Sequence, residues 1–214
     1  MITLKSREEW LERRTSYIGG SDAACILGLN PWRTNVELWE QKTGQRQAED
    51  ISEKPFVKYG HDAEPYLREL FALDFPEYEV SYVENNIWLN DRYPFAHASI
   101  DGLLTEKATG RRGVLEIKTT NIVRAGQMDE WRDQIPTTYF CQILWYMGVL
   151  ELDFAVCKAQ LKNTIGDDVM LMTKHYKIER SEVEDDIAYL FDKAKAFAEC
   201  IKNRTKPPLI LPAI

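Results

Sequence analysis

The feature that most restricts the fold is a change of period along the chain. Up to residue 74 apolar positions recur at helical spacing; from Tyr78 onward they alternate, with β-like runs near 78–83, 86–90, 95–104 and 113–119. A strongly helical stretch at 137–150 interrupts the alternation, which resumes near 153–161 and 169–178. Ser181 then opens a last long helix that continues to about residue 203. Strands with a helix interposed, and helices at both ends, predict an α/β protein with a central mixed β-sheet flanked by helices. A chain of 214 residues suits one such domain.

Local signals place the other elements. Ser6 and Glu9 form a capping-box pattern ahead of a helix that carries Trp10 and Arg14 one turn apart. Ile18-Gly19-Gly20-Ser21-Asp22 reads as a tight turn into a short helix capped by Ser21 and stopped at Gly28. Asn30-Pro31-Trp32 is a turn, and Thr34 with Glu37 opens a helix that ends at Gly44. Residues 45–55 are polar and predict a loop, 62–74 a helix, 105–112 a Gly-containing turn, 127–135 a short amphipathic element, and 207–212 a Pro-rich tail. Trp10, Trp32, Trp39 and Trp145 are expected in the core. His61, His97 and His175 show no metal spacing.

Composition removes several function classes. No apolar run approaches the roughly 20 residues of a membrane helix, and the charged start MITLKSREEW is not a signal peptide. Cys25, Cys141, Cys157 and Cys200 lie far apart without a CxxC pair, which argues against a zinc ribbon and for reduced thiols in a cytoplasmic protein. The formal charge of −7 argues at first against nucleic acid. The charge is segregated, however. Five cations and only Glu116 lie between Lys107 and Arg124, whereas Glu77, Glu79, Glu84 and Asp91 stand together without a cation.

Asp101 ends one β-run, and Glu116 and Lys118 share a face of the next. Hairpin pairing can set Asp101 beside Glu116, and two carboxylates with the Ile117 carbonyl are hard oxygen ligands suited to Mg²⁺ or Mn²⁺. Lys118 could then steer water or stabilise charge at phosphorus. The same spacing also suits a surface hairpin with an exposed ion pair. The flanks Val114, Leu115 and Ile117 favour burial, where a carboxylate needs a partner or a metal. Glu64 begins a helix, and Tyr139 and Gln142 share a helix face. Gly19 and Gly20 allow close backbone approach, so the Ser21 helix start could bind an anion, with Arg14 and Arg124 adding bidentate bonds. A plain turn with a cap accounts for those residues equally.

Seven segments in order carry a resemblance. They are Trp10-Leu11-Glu12-Arg13-Arg14, Ile18-Gly19-Gly20-Ser21-Asp22-Ala23-Ala24, Leu29-Asn30-Pro31-Trp32, Gly60 with Glu64-Pro65, Ser99-Ile100-Asp101-Gly102, Leu115-Glu116-Ile117-Lys118-Thr119, and Tyr139-Phe140-Cys141-Gln142. Over about residues 10–147 the chain resembles the phage lambda exonuclease and YqaJ-type viral recombinase group of the PD-(D/E)xK, restriction-endonuclease-like nucleases. Ile100 stands where the motif's name puts proline.

The resemblance implies metal ligation by Glu64, Asp101, Glu116 and the Ile117 carbonyl, with Lys118 as the catalytic lysine and Gln142 and Tyr139 bordering the site. It implies a 5′-phosphate site made of Arg14, Ser21, Ser99 and Arg124, and it aligns Asp91 with a further acid. One nuclease domain is expected, with residues 1–45 contributing to the DNA-end site, 55–178 the catalytic core and 181–203 a C-terminal helix. The implied activity is 5′-to-3′ exonuclease action on linear double-stranded DNA with two Mg²⁺ ions, Mn²⁺ substituting. Also implied are a homotrimeric ring, a single-strand annealing partner, and a phage or prophage origin in a bacterial cytoplasm. The alternatives are a nuclease of other polarity or endonucleolytic role, and a DNA-end-binding protein without catalysis.

Overall fold

The computed structural model describes residues 1–211; the last position of the Pro-rich tail expected at 207–212 lies outside them. Strand β1 (Ile2–Thr3) precedes α1 (Arg7–Thr15), where the Ser6 hydroxyl accepts from the Glu9 N–H at 3.2 Å. A single 3-10 turn, Gly20–Asp22, leads into the one-turn helix α2 (Ala23–Ile26). Here the structure corrects the expected cap. Asp22, not the exposed Ser21, closes the turn: its carboxylate accepts from the Gly19 N–H at 3.1 Å and pairs with Arg33 and Lys42, both at 2.9 Å. Trp32 is a second correction. The turn holds it 80% exposed rather than in the core.

Thr34 and Glu37 make their reciprocal bonds at the start of α3 (Asn35–Lys42). Helix α4 (Pro55–Asp74) starts well before residue 62 because Pro55 at its first position needs no hydrogen-bond acceptor. The strands follow as β2 (Tyr78–Ser81), β3 (Asn86–Leu89), β4 (His97–Ala98), β5 (Gly102–Glu106) and β6 (Arg112–Ile122). After α5 (Ala125–Asp129) and α6 (Thr137–Leu150) come β7 (Phe154–Ile165), β8 (Asp168–Glu179) and α7 (Arg180–Lys202).

The expected run at 95–104 is split between two sheets: β4 joins β1 and β3, and β5 joins the larger sheet β2-β5-β6-β7-β8. Buried Asn86 makes the break, its side chain donating to the Ile100 carbonyl and accepting from the Ile100 N–H, both at 3.1 Å. Those two bonds replace strand pairing just before Asp101. In the larger sheet β6 and β7 run parallel and the other neighbours antiparallel, so the sheet is mixed, with α6 as the crossover between the parallel pair.

Alternation along β6 divides the sheet's two sides. Leu115 and Ile117 pack with Leu67 and Phe71 of α4, while Val114 belongs to the main core with α6 and α7. A Cβ on Gly60 would come within 2.9 Å of the Thr119 hydroxyl, so α4 crosses β6 in close contact. Among the described residues no helix is long and apolar enough to cross a membrane.

Candidate active site

Strand β6 is buried by its apolar neighbours, and it takes Glu116 into the interior at 1% exposure. Lys118, two residues on, reaches back so that Nζ lies 2.5 Å from Glu116 Oε1. Helix α6 supplies the third member: Gln142 Oε1 accepts from Lys118 at 3.2 Å, and Gln142 Nε2 donates to Glu116 Oε1 at 2.8 Å. One turn earlier on the same helix, the Tyr139 ring lies 4.9 Å from the Lys118 ammonium. Glu116 Oε1 therefore accepts twice, while Glu116 Oε2 is buried with no hydrogen-bond partner.

Asp101 stands one step beyond the Gly102↔Leu115 pair, opposite Glu116, and its Oδ2 accepts from the Ile117 N–H at 2.8 Å. Glu64 comes from α4 and is bonded by Arg68, four residues along. Arg68 also donates to the Asp101 carbonyl at 2.5 Å and lies 3.5 Å over the Tyr82 ring. The three acids and Lys118 line one cleft of about 1020 Å³.

Electrostatics follow from three carboxylates sharing little water. Burial, then Asp101, pushes Glu116 up to about 8; burial and Asp101 push Glu64 up to about 7 against the pull of Arg68. Burial also raises Asp101, opposed by Lys118 and the Ile117 N–H. Burial alone would lower Lys118, but Glu116 and Asp101 hold it above the ordinary lysine range, so it stays charged.

Among the described residues no three acids close into a ready cation cage, because Arg68 holds Glu64 and Lys118 holds Glu116. The donor set nevertheless fits a hard divalent ion. It offers carboxylate oxygens, its acids repel one another, and buried Glu116 Oε2 lacks a partner of its own.

The cleft continues to Arg14 and Ser99. Arg14 lies 4.2 Å over the Trp10 ring, and the Trp10 indole N–H donates to the Asn86 carbonyl and Ser99 Oγ at 3.1 and 3.3 Å. Of the residues expected at a phosphate site, these two share the cleft with the acids. Ser21 and Arg124 are exposed and do not line it, and Asp91 is exposed between β3 and β4.

The Gly19–Gly20 turn is keyed to its surroundings: a Cβ on Gly19 would lie 2.6 Å from His97, and one on Gly20 2.7 Å from Tyr146. His97 is held down to about 4 by burial and by the Arg14 and Lys42 charges. Sequence reasoning missed Arg68 and Tyr146. Each stands four residues after a residue it did single out, Glu64 and Gln142, on the same helix face.

With this geometry in place, residues 9–153 match the model of the YqaJ-like viral recombinase domain. The chain is 37% identical over 148 residues to the protein YqaJ of Bacillus subtilis (strain 168), an alignment covering 68% of this chain and 43% of that protein. It thus spans less than half the length of that curated relative.

Two solved structures share the fold. An alkaline exonuclease (LHK-Exo) from Laribacter hongkongensis superposes with a TM-score of 0.64 at 18% identity, covering 92% of this chain and 93% of that one. A phage related exonuclease from Haemophilus somnus 129PT does so with a TM-score of 0.61 at 15% identity, covering 88% and 96%.

Proposed function

Because the chain belongs to the YqaJ-like viral recombinase domain family, we propose that it is a metal-dependent deoxyribonuclease that degrades the 5′ strand of linear double-stranded DNA. The observation that carries this reading is the Lys118–Glu116–Gln142 cluster, set in one cleft with Glu64, Asp101 and Arg14. The names of the two structural neighbours agree with it. A DNA-binding protein without chemistry has no need to bury an unsatisfied carboxylate oxygen beside a charged lysine.

Glu64, Asp101, Glu116 and the Ile117 carbonyl would hold Mg²⁺. A bound ion supplies an activated water and neutralises charge on the phosphate oxygens. Lys118, kept protonated by its neighbours, donates toward charge developing at phosphorus. Gln142 keeps the ammonium directed by accepting from it. Arg68 secures Glu64 between turnovers. Arg14 and Ser99, farther along the cleft, would receive the terminal phosphate, the arginine by a charge-assisted fork.

In this reading the described residues act as one nuclease unit. Its 3′ single-stranded product is the substrate of a single-strand annealing partner. Three copies would close a ring, so that a chain of net charge −7 meets DNA only through cations gathered inside. Linear duplex labelled at either end, carrying 5′-phosphate or 5′-hydroxyl, with Mg²⁺ or EDTA, tests the reading. Mg²⁺-dependent loss of the 5′ label first, from phosphorylated ends, is the expected result. Internal cuts or loss of the 3′ label first would overturn the polarity.

A further inference from the structure

Gln142 can face the site in two ways, and only one suits its neighbours. With its carbonyl toward Lys118 and its NH₂ toward Glu116, every contact joins a donor to an acceptor; turned over, each of those contacts becomes like against like. Those two neighbours choose the orientation, but something must hold the amide in place whenever Lys118 or Glu116 is engaged elsewhere, and a phenolic hydroxyl, able to donate or accept, can anchor it. Tyr146, four residues along α6, is placed to do so. It is 5% exposed, and its hydroxyl accepts from Gln142 Nε2 at 2.8 Å. The two amide hydrogens are then committed to Glu116 and Tyr146, which leaves the carbonyl for Lys118.

The same side chain supports a second element. A Cβ on Gly20 would lie 2.7 Å from Tyr146 Cε1 and 3.0 Å from Gln142 Cγ, so the Gly19–Gly20 turn rests directly on this pair. We propose that Tyr146 is a positioning residue for DNA cleavage, fixing the Gln142 amide and carrying the Gly19–Gly20 turn on the same support. It acts through Gln142 rather than on the reacting atoms. The proposal rests on the nuclease reading above.

The test uses the full chain with end-labelled linear duplex and Mg²⁺, measuring single-turnover cleavage, duplex affinity and melting temperature. Wild type against Lys118→Ala comes first: if wild type does not cleave, or Lys118→Ala cleaves equally well, the nuclease reading itself fails. Given cleavage that depends on Lys118, Tyr146→Phe should slow the cleavage step about five- to tenfold, the size of one buried hydrogen bond, with duplex affinity unchanged. Gln142→Ala should cost at least as much, and adding Tyr146→Phe to it should cost nothing more.

A residue that only props the fold would give effects that multiply, and that result would overturn the proposal. So would a Tyr146→Phe protein as fast as wild type. If Tyr146→Phe melts early, Gly20→Ala replaces it, because its methyl presses on the same ring. Its slowing must likewise vanish in the Gln142→Ala background, and an undiminished effect there would overturn the proposal.

Discussion

Asp22 and Glu116 are both buried carboxylates, and their surroundings treat them in opposite ways. Burial pushes Asp22 up, but Lys42, Arg33 and the Gly19 N–H outweigh it and hold the group below the usual aspartate range. Burial pushes Glu116 up as well; there a second carboxylate adds to the effect, Lys118 does not cancel it, and one oxygen stays without a partner. Asp22 ties the Gly19 turn to α3 through Lys42 and to the Trp32 turn through Arg33. Glu116 bonds only to Lys118 and Gln142, which line the same cleft. The contrast separates a carboxylate that stabilises the fold from one whose cost has to be explained by chemistry.

Removing the acid from each site is the sharpest way to break the comparison. Asp22→Ala leaves Arg33 and Lys42 facing each other without their anion, and it should cost about 3–5 kcal/mol in urea unfolding. The pH dependence has a definite sign. A carboxyl held low in the folded state contributes stability that is fully present above its unfolded pKa and is lost as pH falls through the folded one. The stability gap between wild type and Asp22→Asn should therefore be widest above about pH 4 and narrow in stronger acid. A gap that stayed constant with pH would mean that the carboxylate charge is not what stabilises this corner.

Lys118→Ala addresses the other site. The fold should survive, because Lys118 lies at the cleft wall rather than in the apolar core. Cleavage should fall by about 10²–10³, the usual effect of removing a preorganised donor. Retained near-wild-type cleavage by the purified variant would show that the charged cluster is structural after all, and the two carboxylates would no longer differ in kind.

Arg14 lies between these cases, in the cleft but away from the acids. If it receives the terminal phosphate, Arg14→Ala should reduce the preference for 5′-phosphorylated over 5′-hydroxyl ends by about 1.5–3 kcal/mol, with a smaller effect on each cleavage step. Equal losses on both ends would assign Arg14 to general DNA binding or to packing on Trp10.

The two sites also differ in how far the sequence revealed them. Asp101, Glu116 and Lys118 could be placed together because strand alternation and hairpin pairing are short-range geometry, and the observed register sets Asp101 opposite Glu116. Likewise, the helix expected at 137–150 is α6. The partners of these residues were hidden. Arg68 and Tyr146 acquire meaning only after Glu64 and Gln142 are known to face the cleft.

The break at Ser99–Asp101 depends on Asn86, fourteen residues before Ile100, and no local pattern encodes that contact. The Asp22 network was missed for the same reason: Ser21 and Asp22 are equally good caps by local preference, and only Arg33 and Lys42, arriving from elsewhere, favour Asp22. Trp32, expected inside by residue type, is held out by a turn in which Asn30 accepts from the Trp32 and Arg33 N–H groups.

The smallest effect bears most directly on why Glu116 lacks a partner. If its bare oxygen and the neighbouring acids serve a divalent ion, the ion should stabilise the folded state whether or not DNA is present. At a Mg²⁺ concentration ten times the dissociation constant, linkage gives about 1.4 kcal/mol, or roughly 3–5 °C in melting temperature for a chain of this size. EDTA should reverse the shift. Asp22→Asn should lower the starting melting temperature and keep the increment, since Asp22, Arg33 and Lys42 do not line the cleft. Glu116→Gln should do the reverse. Its starting stability should change little, because an amide avoids the charge repulsion, and the Mg²⁺ increment should shrink toward zero. A full increment in Glu116→Gln would place the ion somewhere other than on the orphan oxygen, and that oxygen would again be a cost without an explanation.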